Sequence, residues 1–261
     1  MVNRFLEELR RRNPALYRFG WAMLALYVIA GVLYFIDDRM IMGVNAWVKP
    51  MKFSLSILLY SWTFGWMLDY LKSEPARRWI TWGAVLTMSV EIFLICLQAA
   101  RGTTSHFNVH TAFDGAVFGI MGFFIALNTL INLYAAFHFV TGRTILAGPD
   151  LLAWQAGLIL LLLGNVSGGW MVATLAHTVG APDGGPGLPF LNWSTVAGDI
   201  RAAHFATLHG LQVFPLSTYV LSQLRPQQAA LGTRILVGLY FAGCLYLHVL
   251  AWQGIPVIPI V

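Results

Sequence analysis

Residues 79–99 read WITWGAVLTMSVEIFLICLQA, a run whose one ionisable side chain is Glu91. At 1.5 Å per residue a helix of this length is about 30 Å long, the thickness of the hydrocarbon core of a bilayer. A strand is excluded, because the run is far longer than a barrel strand, lacks period-two alternation, and an open sheet edge cannot face lipid. Comparable runs occupy Tyr17–Ile36, Ala46–Leu71, Thr111–His138, Leu151–Leu175, Ile200–Leu221 and Ala229–Trp252. The expected fold is therefore all-α, a polytopic membrane helix bundle with about seven transmembrane helices.

Composition agrees. Of 261 residues, 58% are hydrophobic and only 10% charged, with a mean hydropathy of +0.68, whereas soluble domains carry about a quarter charged residues. Residues 1–261 are read as a single membrane domain whose solvent is lipid. Apolar runs recur to the last residue, so a cleaved secretory signal is not expected. Because no extramembrane stretch exceeds residues 176–199, a soluble catalytic or nucleic-acid-binding module has no room, and nucleic acid is excluded as a partner. Cys96 and Cys244 lie inside apolar runs with no second thiol at CxxC spacing and read as inert core residues.

The pI near 9.4 becomes a topological signal. Cytoplasmic loops carry the excess of Lys and Arg. With the N-terminus inside, Arg4, Arg10, Arg11, Arg12, Arg18, Lys72, Arg77, Arg78, Arg143, Arg225 and Arg234 are cytoplasmic, against Arg39, Lys49, Lys52, Arg101 and Arg201 outside. Seven spans then put the C-terminus outside, in a multi-pass protein of the cell membrane, expected to be a bacterial inner membrane. Residues 1–15, with Phe5 and Leu9 among charges and Pro14 closing the run, read as an amphipathic segment on the anionic cytoplasmic surface. The Gly- and Pro-rich stretch from His177 to Asp199 is an outer loop, either a cap over a site or a plain connector. No repeat period or pair of inverted halves is visible. Trp47, Trp79, Trp82, Trp193 and Trp252 fit an aromatic belt, and Gly164, Gly168 and Gly169 fit close helix packing.

Ionisable residues inside a span cost on the order of 3 kcal/mol each, so each needs a partner or a purpose. Glu91 lies eight residues before the outer end of the third span, and His209 nine residues into the sixth from the same side. Equal depth makes them a candidate pair, functional as metal ligand and proton-transfer group or structural as a buried ion pair. Asp114, His204 and His248, with Lys49 and Lys52, come nearer the same surface. Six of the seven histidines (His106, His110, His177, His204, His209, His248) fall in the outer half, and His138 alone at the inner interface.

Helical rotation gathers these groups into stripes. Arg201, His204, His209 and Gln212 share about 140° of arc; Thr87, Glu91 and Gln98 form a second stripe, and Asp114, Met121, Asn128 and Asn132 a third. His110 and Asp114 are four apart, a spacing for two ligands or an oriented His–carboxylate pair, although Asp114 equally suits a helix N-terminal charge. His204 and His209 are five apart, which splays them by about 140° and opposes a simple HxxxH zinc site. Lys49 and Lys52 flank Pro50 and either snorkel or seat an anionic group. His106, His110 and His177 read as loop or cap residues.

Seven spans, several histidines and a carboxylate are similar to the seven-helix membrane zinc hydrolases of the ceramidase and adiponectin-receptor type. The chain departs from them in the last span, where His248 stands without an HxxxH partner. The leading expectation is a membrane enzyme or redox protein, an oxidoreductase or hydrolase, with a metal ion or haem on His204, His209 and His248. Glu91, Asp114 and His209 would act in proton transfer, while Lys52, Arg201 and Gln212 steady an anionic or lipid-soluble molecule. A proton-coupled transporter or channel is the alternative, with Glu91, His209, Asn128 and Asn132 marking a polar path. A third reading is a non-catalytic subunit that meets a protein partner or pigment.

Overall fold

The computed structural model describes residues 2–260 and contains, among them, eight α-helices. These are α1 (Val2–Arg12), α2 (Pro14–Ile36), α3 (Val48–Met67), α4 (Glu74–Ala100), α5 (Ala112–Val140), α6 (Gly148–Thr174), α7 (Ile200–Leu224) and α8 (Ala229–Trp252). The chain is all-α, and its long apolar helices make it a multi-pass membrane protein. By length and composition α2, α4, α5, α6 and the segment Pro226–Trp252 can each cross a bilayer. The helices α3 and α7, 20 and 25 residues long, carry the lysines and two of the histidines and are less apolar.

Boundaries follow local chemistry. Helix α4 starts five residues before the expected third span because Ser73 caps it, accepting the Ala76 amide at 3.3 Å, and Pro75 occupies the first turn, where its missing N–H is harmless. The second expected span shortens to α3. Ahead of it, β1 (Met40–Ile41) pairs antiparallel with β2 (Val44–Asn45) across a turn at Met42 and Gly43, both at positive φ. Two such residues give the tight turn whose twist matches a hairpin. Asp37 anchors this hairpin. The Arg39 guanidinium, and then the Trp47 indole at 2.7 Å, hold its carboxyl well below the usual carboxylate range.

The chain divides into two compact units, Met1–His138 and Phe139–Val261. In the first, α2 approaches α3 where Gly20 leaves room for Trp62: a Cβ there would stand 2.0 Å from the indole nitrogen. Leu9 of α1 is fully buried and, with Leu16, fills the space over Gly65 of α3. Phe5 stacks on Trp66 at 5.1 Å, and Arg12 lies 4.3 Å over the same ring. Arg11 and Arg12 both bind Glu8, whose carboxyl they lower to about 2. The segment around α1 is thus amphipathic, but Phe5 and Leu9 pack on α3, with Arg4 and Arg10 left exposed.

In the second unit α6 and α7 meet along glycines. A Cβ on Gly157 would lie 2.9 Å from Leu211 Cα, one on Gly164 3.0 Å from Thr207 Oγ1, and one on Gly168 3.2 Å from the His204 ring. Small residues let the two backbones approach, the usual device where lipid supplies no hydrophobic drive for association. Gly169 faces open space instead, so the packing role expected for it falls to Gly157.

The loop from His177 to Asp199 is folded by its own contacts. Its β3 (Thr178–Val179) pairs with β4 (Gly198–Asp199). Asp183 accepts the His177 and Thr178 amides, the latter at 2.9 Å. Asp199 caps α7 through the Arg201 amide at 3.0 Å and accepts the Ser194 amide at 2.8 Å. Gly198 lies so close to the end of α8 that a Cβ would come within 2.1 Å of the Ala251 carbonyl oxygen.

Candidate functional site

Glu91 lies on the buried face of α4, about 14 Å from the helix end at Ala100. Its residue is 2% exposed, and neither carboxylate oxygen makes a hydrogen bond among the described residues. Such a group is costly in a low-dielectric interior and calls for an account. Its neighbour is His106, whose Nε2 stands 3.5 Å from Oε1. The Lys49 ammonium lies 3.1 Å from His106 Nδ1, and the Ser105 hydroxyl also 3.1 Å from it.

These contacts assign the imidazole tautomer. An ammonium has no lone pair to offer, so Nδ1 accepts from Lys49 and the ring proton sits on Nε2, the nitrogen 3.5 Å from Glu91 Oε1. Burial, and secondarily the Lys49 charge, push the His106 imidazole well below its usual range, so the ring is neutral. A carboxylate, a neutral imidazole and an ammonium thus follow one another in a line with balanced charge. Phe53, Phe107 and Phe118 surround the imidazole, with ring centroids at 5.8, 6.1 and 6.3 Å.

The loop that delivers His106 is held by its own polar groups. Gly102 turns the chain after α4 at positive φ. Asn108, 1% exposed, donates to Thr103 Oγ1 and to the Thr104 carbonyl, both at 3.0 Å. Phe107 adopts φ 60°, a left-handed conformation that costs an L-residue about 1 kcal/mol or more and turns its neighbour His106 into the bundle. His106, read as a loop or cap residue from sequence, is thus the nearest polar contact of the buried carboxylate.

Asp114 has a different role. Its Oδ1 accepts from Gln98 at 2.9 Å and from Arg101 at 2.5 Å, and its Oδ2 from the Thr111 hydroxyl at 2.7 Å. Arg101 also binds Gln98 and stacks over Phe113 at 4.4 Å. The carboxylate is saturated and pins the start of α5 to the end of α4. The His110–Asp114 pairing does not form, and His110 is exposed ahead of the helix. Gln98 to Asp114, at 2.9 Å, and Thr87 to Asn128, at 2.8 Å, join the polar stripes of α4 and α5. Lys52 is half-buried, one turn from Lys49. His138, expected at the interface, is 3% exposed beside Tyr134.

The second unit holds the other predicted residues. His204 Nδ1 donates to the Gly164 carbonyl at 2.8 Å, His209 Nδ1 to Gln212 Oε1 at 3.2 Å, and His248 Nδ1 to the Cys244 carbonyl at 2.9 Å. His209 and His248 are within electrostatic reach of the His204 ring. Each acceptor is a carbonyl oxygen, so each Nε2 carries the lone pair. Even so, among the described residues no group of three or more His, Cys, Asp or Glu side chains is arranged to hold a metal ion. Arg201, expected to steady an anion, is taken up by Asp199 at 2.9 and 2.6 Å and by the Asn192 carbonyl.

Comparison of the chain with protein-family models, curated proteins and solved structures finds no match.

Proposed function

We propose that the chain is a proton-coupled membrane protein, a carrier or proton-transfer subunit, in which Glu91 takes up and releases a proton through His106. The observation that carries this reading is a buried carboxyl without a hydrogen bond, facing an imidazole whose other nitrogen is clamped by an ammonium. Intramembrane carboxylates and histidines are the usual proton carriers, and a neutral ring between solvent and acid can pass a proton without leaving a charge buried. The proposal includes seven spans in a bacterial inner membrane, with α1 on the cytoplasmic side and Val261 outside, so that His106 faces the outer surface. The test is infrared pH-difference spectroscopy of the purified protein. We expect a reversible carbonyl stretch from a protonated carboxyl that disappears in Glu91→Gln; no such band at any pH, or one that persists in the variant, refutes the reading.

A second reading is favoured by one observation: His204, His209 and His248 each donate Nδ1–H to a carbonyl, the arrangement that orients metal- or haem-ligating histidines. On that reading the second unit is a metal- or haem-dependent oxidoreductase or hydrolase acting on a lipid-soluble substrate. As placed, the three rings suit ligation by one imidazole better than a three-ligand ion centre. Near-stoichiometric Fe, Cu or Zn, or a Soret band, in purified protein that falls in His204→Ala and His248→Ala supports it. A colourless, metal-free preparation after growth with added metal and haem precursor removes it.

A further inference from the structure

One turn from Glu91 toward the α1 end of the first unit, Thr87 opens a second polar cluster. Tyr60 of α3 donates its hydroxyl to Asn132 Oδ1 at 2.8 Å, and Asn132 Nδ2 donates to Asn128 Oδ1 at 2.9 Å. Asn128 Nδ2 donates in turn to Thr87 Oγ1 at 2.8 Å, and the Thr87 hydroxyl to the Gly83 carbonyl at 2.8 Å. Asn128 Nδ2 also lies 3.4 Å from the Tyr60 oxygen, which closes Tyr60, Asn132 and Asn128 into a ring across α3 and α5, with Thr87 of α4 attached through Asn128. Thr87, Asn128 and Asn132 are all buried.

Donor accounting shows what this ring can carry. Both hydroxyl protons are committed, the chain ends on a backbone carbonyl, and two of its four members are amides. An amide side chain neither gains nor loses a proton near neutral pH, so a proton hopping along the ring stops at Asn128 or Asn132. Carboxylates, imidazoles or water in the same places would pass it on.

We infer that the Tyr60–Asn132–Asn128 ring, with Thr87 attached to it, is a proton barrier that makes exchange at Glu91 one-sided. Protons reach Glu91 through His106 from the loop end, and the ring seals the route toward the α1 end. This rests on the proton-exchange reading above. Asn128 is the determining position, since it bonds to three other members and stands next to Thr87, one turn from Glu91. If the ring only glued helices together, its loss would lower stability, by about 0.6 kcal/mol per bond on average, and leave proton permeability unchanged.

The experiment uses the full chain in phospholipid vesicles with an imposed pH difference, a clamped potential and an internal pH dye. Wild type is expected to be tight. Asn128→Asp, close to isosteric but titratable, should leak protons at least about tenfold faster, and adding Glu91→Gln should abolish the leak. Asn128→Leu, apolar and of similar size, should stay as tight as wild type. Asn132→Asp serves as a second test should Asn128→Asp fail to elute as a monodisperse species. A folded Asn128→Asp or Asn132→Asp no leakier than wild type, a wild type that already leaks, or a leak indifferent to Glu91→Gln overturns the barrier. The infrared measurement on Glu91→Gln reports on the parent reading separately, so the two can fail independently.

Discussion

Lys49→Met is expected to destabilise the protein by about 1–3 kcal/mol, the cost of removing a charged hydrogen-bond donor from a half-buried site. Lys49 is the cation nearest the site, 3.1 Å from His106 Nδ1, and Glu91 has no hydrogen bond to take its place. Methionine keeps the length and apolar stem of lysine and deletes the ammonium, with its 5.8 Å contact over the Phe53 ring. The pH-dependent carboxyl signal should shift to a different pH with it, because the ammonium beside His106 is gone while the Ser105 hydroxyl still reaches Nδ1. Adding Glu91→Gln removes the opposite charge, so the double variant should recover most of the lost stability without recovering exchange. Unfolding in detergent and the infrared titration read the two effects. A single variant as stable as wild type, or a double variant as unstable as the single, would show that the line of three is not a coupled unit.

Gly198→Ala should cost about 3 kcal/mol or more, at the upper end of overpacking. The added methyl group would meet backbone, 2.1 Å from the Ala251 oxygen and 2.9 Å from Gly254 Cα, and backbone cannot rotate aside as a side chain can. Strand β4 must then lift from the end of α8, taking with it the Asp199 cap of α7 and the Arg201 pair. The expected readouts are a lower melting temperature in detergent and proteolysis within residues 180–197. Gly169→Ala is the control: nothing lies within 4 Å of its Cβ position, and alanine suits a helix better than glycine, so it should melt no lower than wild type. Equal melting of the two variants sinks the close-approach argument.

The long helices were legible because the apolar run is the physical requirement itself; Ala229–Trp252 was read to the residue as a helix. The stripes were legible too, since Thr87, Gln98, Asp114 and Asn128 stand at helical spacing and cannot face lipid cheaply. The partner of Glu91 was not. Equal depth suggested His209, but depth says nothing of rotation or of which segment returns into the bundle. His106 depends on a left-handed Phe107, and no composition rule announces a strained residue in a loop. The one available signal was length: residues 101–111 exceed the two to eight residues usual between packed helices and are mostly polar. For the histidines of the second unit, spacing splayed His204 from His209 without removing either from the expected ligand set with His248; each ring is held by its own carbonyl, a partner that spacing does not reveal.

The depth of Glu91 also has an electrical meaning. A proton that reaches it from the loop end crosses about 14 Å of a core about 30 Å thick, nearly half of the membrane field. One elementary charge across 100 mV is worth about 2.3 kcal/mol, so its share here is on the order of 1 kcal/mol. That corresponds to about a fivefold change in proton occupancy between an energised and a de-energised membrane. In the proposed topology, with the loop end outside, an inside-negative voltage would draw the proton inward and fill the site. The same residue would then report on membrane voltage as well as on acidity.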